Sequence, residues 1–151
     1  MPVYETTKAV RHNAEQMLNL VADVESYPDF VPLCHSLTVH SRSREGSKEV
    51  LVADMVVAYK LINESFTSHV TIDHDEQTIL VKYIDGPFRE LTNNWSFENT
   101  PEGCNVHFHI DYEFRSRALQ ILMGSVFDKA VRKFTDAFEE RANSVYGPSN
   151  V

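Results

Sequence analysis

Polar and apolar side chains alternate along the middle of the chain, between residues 34 and 114. In the stretch "VHFHIDYEF" every second residue is apolar, and the residues between are His, Asp and Glu. This period of two is typical of antiparallel strands with one buried and one solvated face. "ELTNNWSFE" and "ESFTSHVTI" repeat it. Turn signals divide the region into about six strands, and they lie at 45–47, 73–75, 85–87 and 100–103.

Other patterns flank this region. "VYETTKAV" is short and rich in β-branched residues, which predicts a first strand. "HNAEQMLNLVADV" has apolar residues at i, i+3, i+4 and i+7, which predicts a one-sided helix capped by Asn13. From Ser116 to about Tyr146 a longer apolar stripe predicts a helix of roughly 45 Å. Gly124-Ser125 marks a position where this helix can kink, and Gly147-Pro148 should end it.

The connector "VESYPDFVPLC" is unusually apolar, although loops normally run over the surface and are polar. Ser26 is expected to cap a very short second helix with Pro28 in its first turn. Two interpretations stay open. The connector could form a lid over a cavity, able also to touch a membrane, or it could staple the short helix to the core. A Phe30→Ser substitution separates them: a lid predicts weaker ligand uptake with stability unchanged, and a staple predicts a large loss of folding.

The stretch "VLVADMVVAY" departs from the alternation because both of its faces are apolar. Partial shielding by neighbouring side chains would explain the second face. Contact with a partner, including a second copy in a homodimer, is the less favoured alternative. The residues of this second face are Val50, Val52 and Val56.

The predicted order is β-α-α-β6-α, which excludes a βαβ fold because no crossover helices separate the strands. The economical solution is an α+β fold in which a bent antiparallel sheet of about seven strands grips the last helix. This is the helix-grip order of lipid-transfer START domains and Bet v 1-like plant allergens. A length of 151 residues fits a single domain, 1–151. Such a layout usually leaves a cavity rather than a filled core.

Charge and composition narrow the classes of function. There are 22 acidic and 14 basic residues, a net charge of −8, which opposes direct DNA binding. Cys34 and Cys104 have no metal or redox spacing, and no secretory or transit segment is recognised. We therefore expect a cytoplasmic protein, with a peripheral position at the inner face of the membrane as an option.

Four stretches carry a family resemblance: "VADVESYPDFVPLC", "DGPFRELTNNWSFE", "IDYEFRS" and "AFEERANSVYG". Together they resemble the ubiquinone-binding Coq10 family, the polyketide cyclase-like group that also contains the ribosome association toxin RatA. The resemblance covers nearly the whole chain. It implies a bound prenyl-quinone or similar lipid, with ubiquinone as the first candidate and no other cofactor required.

The inward pattern and the resemblance together predict a hydrophobic-ligand site made of a cavity and its mouth. Its predicted residues are Pro28, Phe30, Val31, Pro32, Leu33, Met55, Val57, Phe66, Ser68, Phe88, Asn93, Trp95, Phe97, Phe108, Leu119, Leu122, Met123 and Val126.

Two polar residues, Ser68 and Asn93, interrupt the predicted inner faces. Either could hydrogen-bond a quinone oxygen, and each could instead bond a neighbouring side chain or a water. The turn "DGPF" at 85–88 is interpreted first as a rigid hairpin corner and second as a ligand contact through Phe88.

Candidate chemistry is sparse. His107, His109 and Asp111 share an outer strand face, but an open strand lacks the enclosure of a metal site, so a solvated face is favoured. No phosphate loop, GxSxG elbow or CxxC occurs. The sequence therefore predicts a protein that is not an enzyme.

Two functions from different classes stay open. The first is a carrier or chaperone that passes a quinone between the inner membrane and respiratory complexes. The second is a RatA-like protein that binds the large ribosomal subunit and blocks subunit association. A cyclase- or aromatase-type enzyme ranks below both. Ribosome binding through phosphates should weaken steeply with salt, whereas quinone uptake should hardly change.

Overall fold

The computed structural model describes residues 3–147. Seven strands, two α-helices and one short 3-10 helix follow the predicted order. In chain order they are β1 (Val3–Val10), α1 (Ala14–Ala22), the 3-10 helix (Val24–Asp29), β2 (Cys34–Glu45), β3 (Lys48–Tyr59), β4 (Ile62–Asp73), β5 (Thr78–Asp85), β6 (Phe88–Thr100), β7 (Gly103–Phe114) and α2 (Arg117–Tyr146).

All seven strands form one antiparallel sheet in the order β1-β7-β6-β5-β4-β3-β2. Strands β2 to β7 pair with their neighbours in sequence, and β1 returns to pair with β7. Register shifts occur in the β2–β3, β4–β5 and β6–β7 pairs, where one strand carries an extra residue. Such bulges bend strands and increase their twist, which lets the sheet curve around α2.

The burial of the strands follows the alternation in the sequence. In β7 the five apolar side chains are all buried and the polar ones between them are half-buried. The second face of β3 is half-buried at Val50, Val52 and Val56, so neighbouring side chains shield it in part. A homodimer through this face stays a prediction.

Helix starts are set by local caps. The Asn13 side chain accepts a 2.8 Å bond from the backbone N–H of Gln16, and the Gln16 side chain accepts one from Asn13, so the predicted cap is a complete capping box. Ser116 caps α2 in the same way through the Leu119 N–H. The predicted cap at Ser26 is wrong: the 3-10 helix begins earlier, after Asp23, and Ser26 donates its hydroxyl to that carboxylate.

The end of α2 agrees with the prediction as far as it is described. Gly147 is the C-cap, with a positive φ of 94°, and Pro148 lies outside the described residues. No helix within residues 3–147 combines the length and the apolar character needed to cross a bilayer.

One connection escapes the turn signals. The β3–β4 turn is Lys60-Leu61, which contains neither Gly nor Pro, and Lys60 adopts a φ of 54°. Leu61 is 97% exposed, the most exposed large apolar side chain among the described residues.

Helix α2 lies against the sheet through one stripe of apolar residues, with Met123, Phe127, Val131 and Phe138 fully buried. Leu122 is an exception: it is 55% exposed, so its predicted place on the buried stripe is wrong.

Candidate functional site

A largely apolar cavity of about 120 Å³ lies between the curved sheet and α2. Each of the strands β2 to β7 supplies wall residues, and the helices and the connector close the remaining sides. The lining residues are Val24, Tyr27, Val31, Pro32, Leu33, Leu37, Ala53, Met55, Val57, Phe66, Ser68, Val70, Ile79, Val81, Leu91, Asn93, Trp95, Ile110, Phe127, Phe134 and Phe138.

Half of the predicted site residues lie on this wall. They come from the connector and from the inward faces of β3, β4 and β6. On these strands the period of two determines which side chains point toward the cavity. These residues are Val31, Pro32, Leu33, Met55, Val57, Phe66, Ser68, Asn93 and Trp95. Their role toward a ligand stays a prediction.

The other half do not line the cavity. Pro28 is exposed on the 3-10 helix, and Phe97 and Phe108 are buried and pack against the ring of Trp95. The remaining positions away from the wall are Phe30, Phe88, Leu119, Leu122, Met123 and Val126.

On α2 the cavity contacts come from one to three turns further along than expected. Phe127, Phe134 and Phe138 line the wall, whereas the predicted residues sit nearer the start of the helix. All belong to the same apolar stripe, so the sequence contains the signal for the face. Which turns of a long helix meet the cavity depends on where the helix crosses the sheet.

Phe88 belongs to an aromatic cluster that includes the cavity-wall residues Phe66 and Phe127. Its ring packs 4.9 Å from Phe114 and 5.2 Å from Phe127, between ring centroids. The turn before it has a steric requirement for glycine: Gly86 has a φ of 144°, and a Cβ there would lie 2.5 Å from the Phe66 Cβ. These contacts support the rigid-corner interpretation of the "DGPF" turn.

Asn93 already has hydrogen-bond partners in the protein. Its Nδ2 donates to the backbone carbonyl of His109 at 2.9 Å, and its Oδ1 accepts from Trp95 Nε1 at 2.9 Å. The amide therefore joins β6 to β7 and orients the indole on the cavity wall.

Ser68 differs from Asn93 in this respect. Its side chain is on the wall, the residue is 7% exposed, and its Oγ has no hydrogen-bond partner within residues 3–147. An unpartnered buried hydroxyl costs ~1–3 kcal/mol relative to a satisfied one. Ser68 is thus the polar group on the wall that is available to bond a guest.

The lid segment, defined as Phe30–Leu33, is held from two sides. The Phe30 ring packs edge-on against Phe138 at 5.1 Å, with the Arg141 guanidinium over it at 5.1 Å. The Leu33 carbonyl accepts a 3.1 Å bond from Ala58, and Leu33 has a φ of 69°, uncommon for a branched residue. The connector therefore holds the short helix to the core and also lines the cavity.

Ionisable groups beside the lid are held neutral. Burial raises the pKa of the Cys34 thiol to about 11. Burial also raises the pKa of the Tyr27 hydroxyl, which donates to the Val21 carbonyl. Neither group is activated as a nucleophile or base at neutral pH.

The outer-face histidines are paired with carboxylates. His109 Nδ1 lies 2.8 Å from Glu5 and its Nε2 lies 3.4 Å from Asp111. The Glu5 hydrogen bond is the main cause of a raised His109 pKa. No cluster of metal-ligating side chains is found in the described part of the chain.

The comparisons with known proteins all point to one family. The family described as polyketide cyclase / dehydrase and lipid transport matches residues 10–139. The chain is 36% identical over 149 residues to the ribosome association toxin RatA of Escherichia coli K12, covering 97% of this chain and 90% of that protein. It is 30% identical over 153 residues to the mitochondrial coenzyme Q-binding protein COQ10 of Drosophila melanogaster, covering 98% of this chain and 61% of that protein.

A solved structure agrees in fold. The solution structure of an 18 kDa protein from Caulobacter crescentus superposes with a TM-score of 0.79 at 30% identity, covering 97% of this chain and 99% of that one.

A curved seven-stranded sheet that grips a helix over an apolar cavity defines a helix-grip protein of the START type. The chain belongs to the polyketide cyclase / dehydrase and lipid transport family, in the group that contains RatA and Coq10. The fold class and the family resemblance expected from the sequence are therefore confirmed.

Proposed function

We propose that the protein is a non-catalytic binding protein for a prenyl-quinone or a similar ring-bearing lipid. The observation that carries the proposal is the apolar cavity with Ser68 as its one unpartnered polar wall group within residues 3–147. An apolar guest with one hydrogen-bond acceptor, such as a quinone carbonyl, matches that chemistry. The relative named as a coenzyme Q-binding protein supports the same ligand class.

The cavity volume sets how such a guest would fit. At about 120 Å³ it is smaller than the ~300–1,000 Å³ of typical ligand pockets. The ring would therefore occupy the cavity, and the prenyl tail would extend beyond it. Longer guests require α2 or the lid segment to move outward. A carrier between the inner membrane and respiratory complexes is the role that we assign to this binding.

Native mass spectrometry with organic extraction tests the proposal on protein purified from a quinone-producing host. We expect a co-purifying prenyl-quinone whose occupancy falls in a Ser68→Ala variant. Thr135→Ala is the matched control, because it removes another buried hydroxyl from α2 away from the cavity wall. Protein that stays empty and does not take up added short-tailed ubiquinone would contradict the proposal.

A second candidate is a RatA-like association with the large ribosomal subunit, because a relative at 36% identity carries that name. The net charge of −8 disfavours strong contact with rRNA, whereas a contact with ribosomal proteins would avoid that cost. Co-sedimentation with large subunits at increasing salt separates the candidates. Binding that is retained by the Ser68→Ala variant would favour the ribosomal role over the quinone role.

A further inference from the structure

The outer face of the sheet, on the side away from the cavity, has an open groove of about 460 Å³ across β1, β7, β6 and β5. Two rows of side chains cross this groove, because residues that are directly paired on neighbouring strands point to the same face. The first row is Thr78, Ser96, His107 and Thr7. The second row is Leu80, Asn94, His109 and Glu5. We call this surface the outer groove, and the proposed function does not use it.

The charged groups in and beside the outer groove are paired with one another. His109 lies between Glu5 at 2.8 Å and Asp111 at 3.4 Å, and His107 Nε2 lies 3.7 Å from Glu98. A cation would therefore have to displace an imidazole from its carboxylate, and an anion would face three carboxylates. Within residues 3–147 no group of side chains is suited to hold a metal ion. The charges thus favour a neutral ligand.

Three uncharged polar side chains of the outer groove have no protein partner within residues 3–147, namely Thr78, Asn94 and Ser96. Two hydroxyls and one amide supply both donors and acceptors of hydrogen bonds. Groups on such a surface repeat at ~4.8 Å from strand to strand and at ~6.7 Å along one strand. Leu80 adds a small apolar contact beside Asn94. A ligand that matches this surface therefore carries several hydrogen-bonding groups within a few ångströms of one another.

We propose that the outer groove binds a neutral saccharide. A sugar ring presents several hydroxyl groups, each of which donates and accepts, and its C–H patches suit the Leu80 side chain. An apolar ligand would instead leave the amide of Asn94 and the hydroxyl of Ser96 without partners. A ribonucleoside offers the same hydroxyl chemistry through its ribose, so the experiment includes both sources. The groove is open to solvent, and a dissociation constant in the millimolar range is expected.

Titration of the isotope-labelled full chain, followed by amide chemical shifts, tests the proposal. The neutral probes are D-glucose and uridine, and we expect saturable shifts at the amides of both rows. The tighter of the two probes identifies the source of the sugar. D-Glucuronate is the anionic counterpart of glucose and should bind at least threefold more weakly, because the carboxylates of Glu5, Glu98 and Asp111 repel it.

An asparagine on the same strand face provides the variant. Asn94→Ala should weaken binding about fivefold, the equivalent of one lost hydrogen bond. Asn63→Ala is the matched control, because Asn63 is also an exposed strand asparagine but lies on β4 outside the groove. Neither side chain has a protein partner among the described residues, so both variants should keep the stability of the wild type.

Four results would overturn the proposal: no saturable shift with either neutral probe, the same shifts with glycerol at equal concentration, equal affinities for glucose and glucuronate, or equal losses in the two variants. Uptake of short-tailed ubiquinone should be unaffected by Asn94→Ala, since Asn94 does not line the cavity. Sugar binding and quinone uptake are measured separately, so a failure of one is distinguished from a failure of the other.

Discussion

The indole Nε1 of Trp95 donates a 2.9 Å hydrogen bond to Oδ1 of Asn93, so the most polar side chain on the cavity wall already has a partner in its own strand. The other side of the amide bonds the β7 backbone at His109. Asn93 therefore organises the wall, and Ser68 is left as the group that can select a guest.

Replacing Asn93 by alanine should destabilise the protein by ~2–3 kcal/mol, because the buried Trp95 N–H and the His109 carbonyl each lose their partner. Urea unfolding followed by the fluorescence of Trp95, the single tryptophan, measures this. Unchanged stability with lost quinone uptake would instead show that Asn93 contacts the ligand directly.

Replacing Ser68 by alanine should leave the stability unchanged or slightly higher, since an unpartnered buried hydroxyl is removed. The affinity for short-tailed ubiquinone should fall by about three- to tenfold, the equivalent of one lost hydrogen bond. Quenching of Trp95 fluorescence gives the affinity directly. Equal affinities in the variant and the wild type would mean that the hydroxyl does not contact the guest.

A Phe30→Ser variant should lose ~2–3 kcal/mol of stability, because the Phe30 ring packs on Phe138 and Tyr27 and under Arg141. This expectation favours the staple interpretation of the connector over a freely moving lid. Unfolding in guanidinium measures the loss of stability and so decides between the two interpretations. Stability within experimental error of the wild type, together with weaker quinone uptake, would restore the lid.

Gly86→Ala should destabilise the β5–β6 corner by more than ~2 kcal/mol, because the added Cβ meets the Phe66 Cβ and the backbone has a positive φ. Gly46→Ala is the control: its φ is also positive, but nothing lies within 4 Å of the added atom. The two melting temperatures should therefore differ clearly. Similar losses in both would show that strain alone, without the contact, sets the cost.

The His109 imidazole should link stability weakly to pH. Its pKa is raised, chiefly by the Glu5 hydrogen bond, so its contribution is complete below the unfolded value of about 6.5 and is lost as pH rises through the folded value. The effect is small because the pair is exposed. NMR titration of His109 should show the raised pKa, and Glu5→Gln should lower it. An unchanged titration in that variant would exclude the pair as the cause.

Local sequence patterns were sufficient to predict the helices and strands of this protein. The alternation in β7, the capping box at Asn13 and the stripe of α2 follow from short-range periodicity, and each is present where the pattern predicts it. The same reasoning failed at Ser26 and at the Lys60-Leu61 turn. At Ser26 the helix instead begins after Asp23, three residues earlier. The Lys60-Leu61 turn formed without Gly or Pro, because the pairing of β3 with β4 determined the backbone path.

The sequence by itself determined the order of the elements along the chain, the faces of the strands and the buried face of the long helix, because periods of two and 3.6 record which side of an element is buried. Only the tertiary structure decided which buried residues meet the cavity. Phe97, Phe108 and Met123 are as apolar as Phe127 and Phe134, and the point where α2 crosses the sheet separates the two groups. The two rows of the outer groove were equally invisible, since they depend on the pairing and register of four strands rather than on any local pattern.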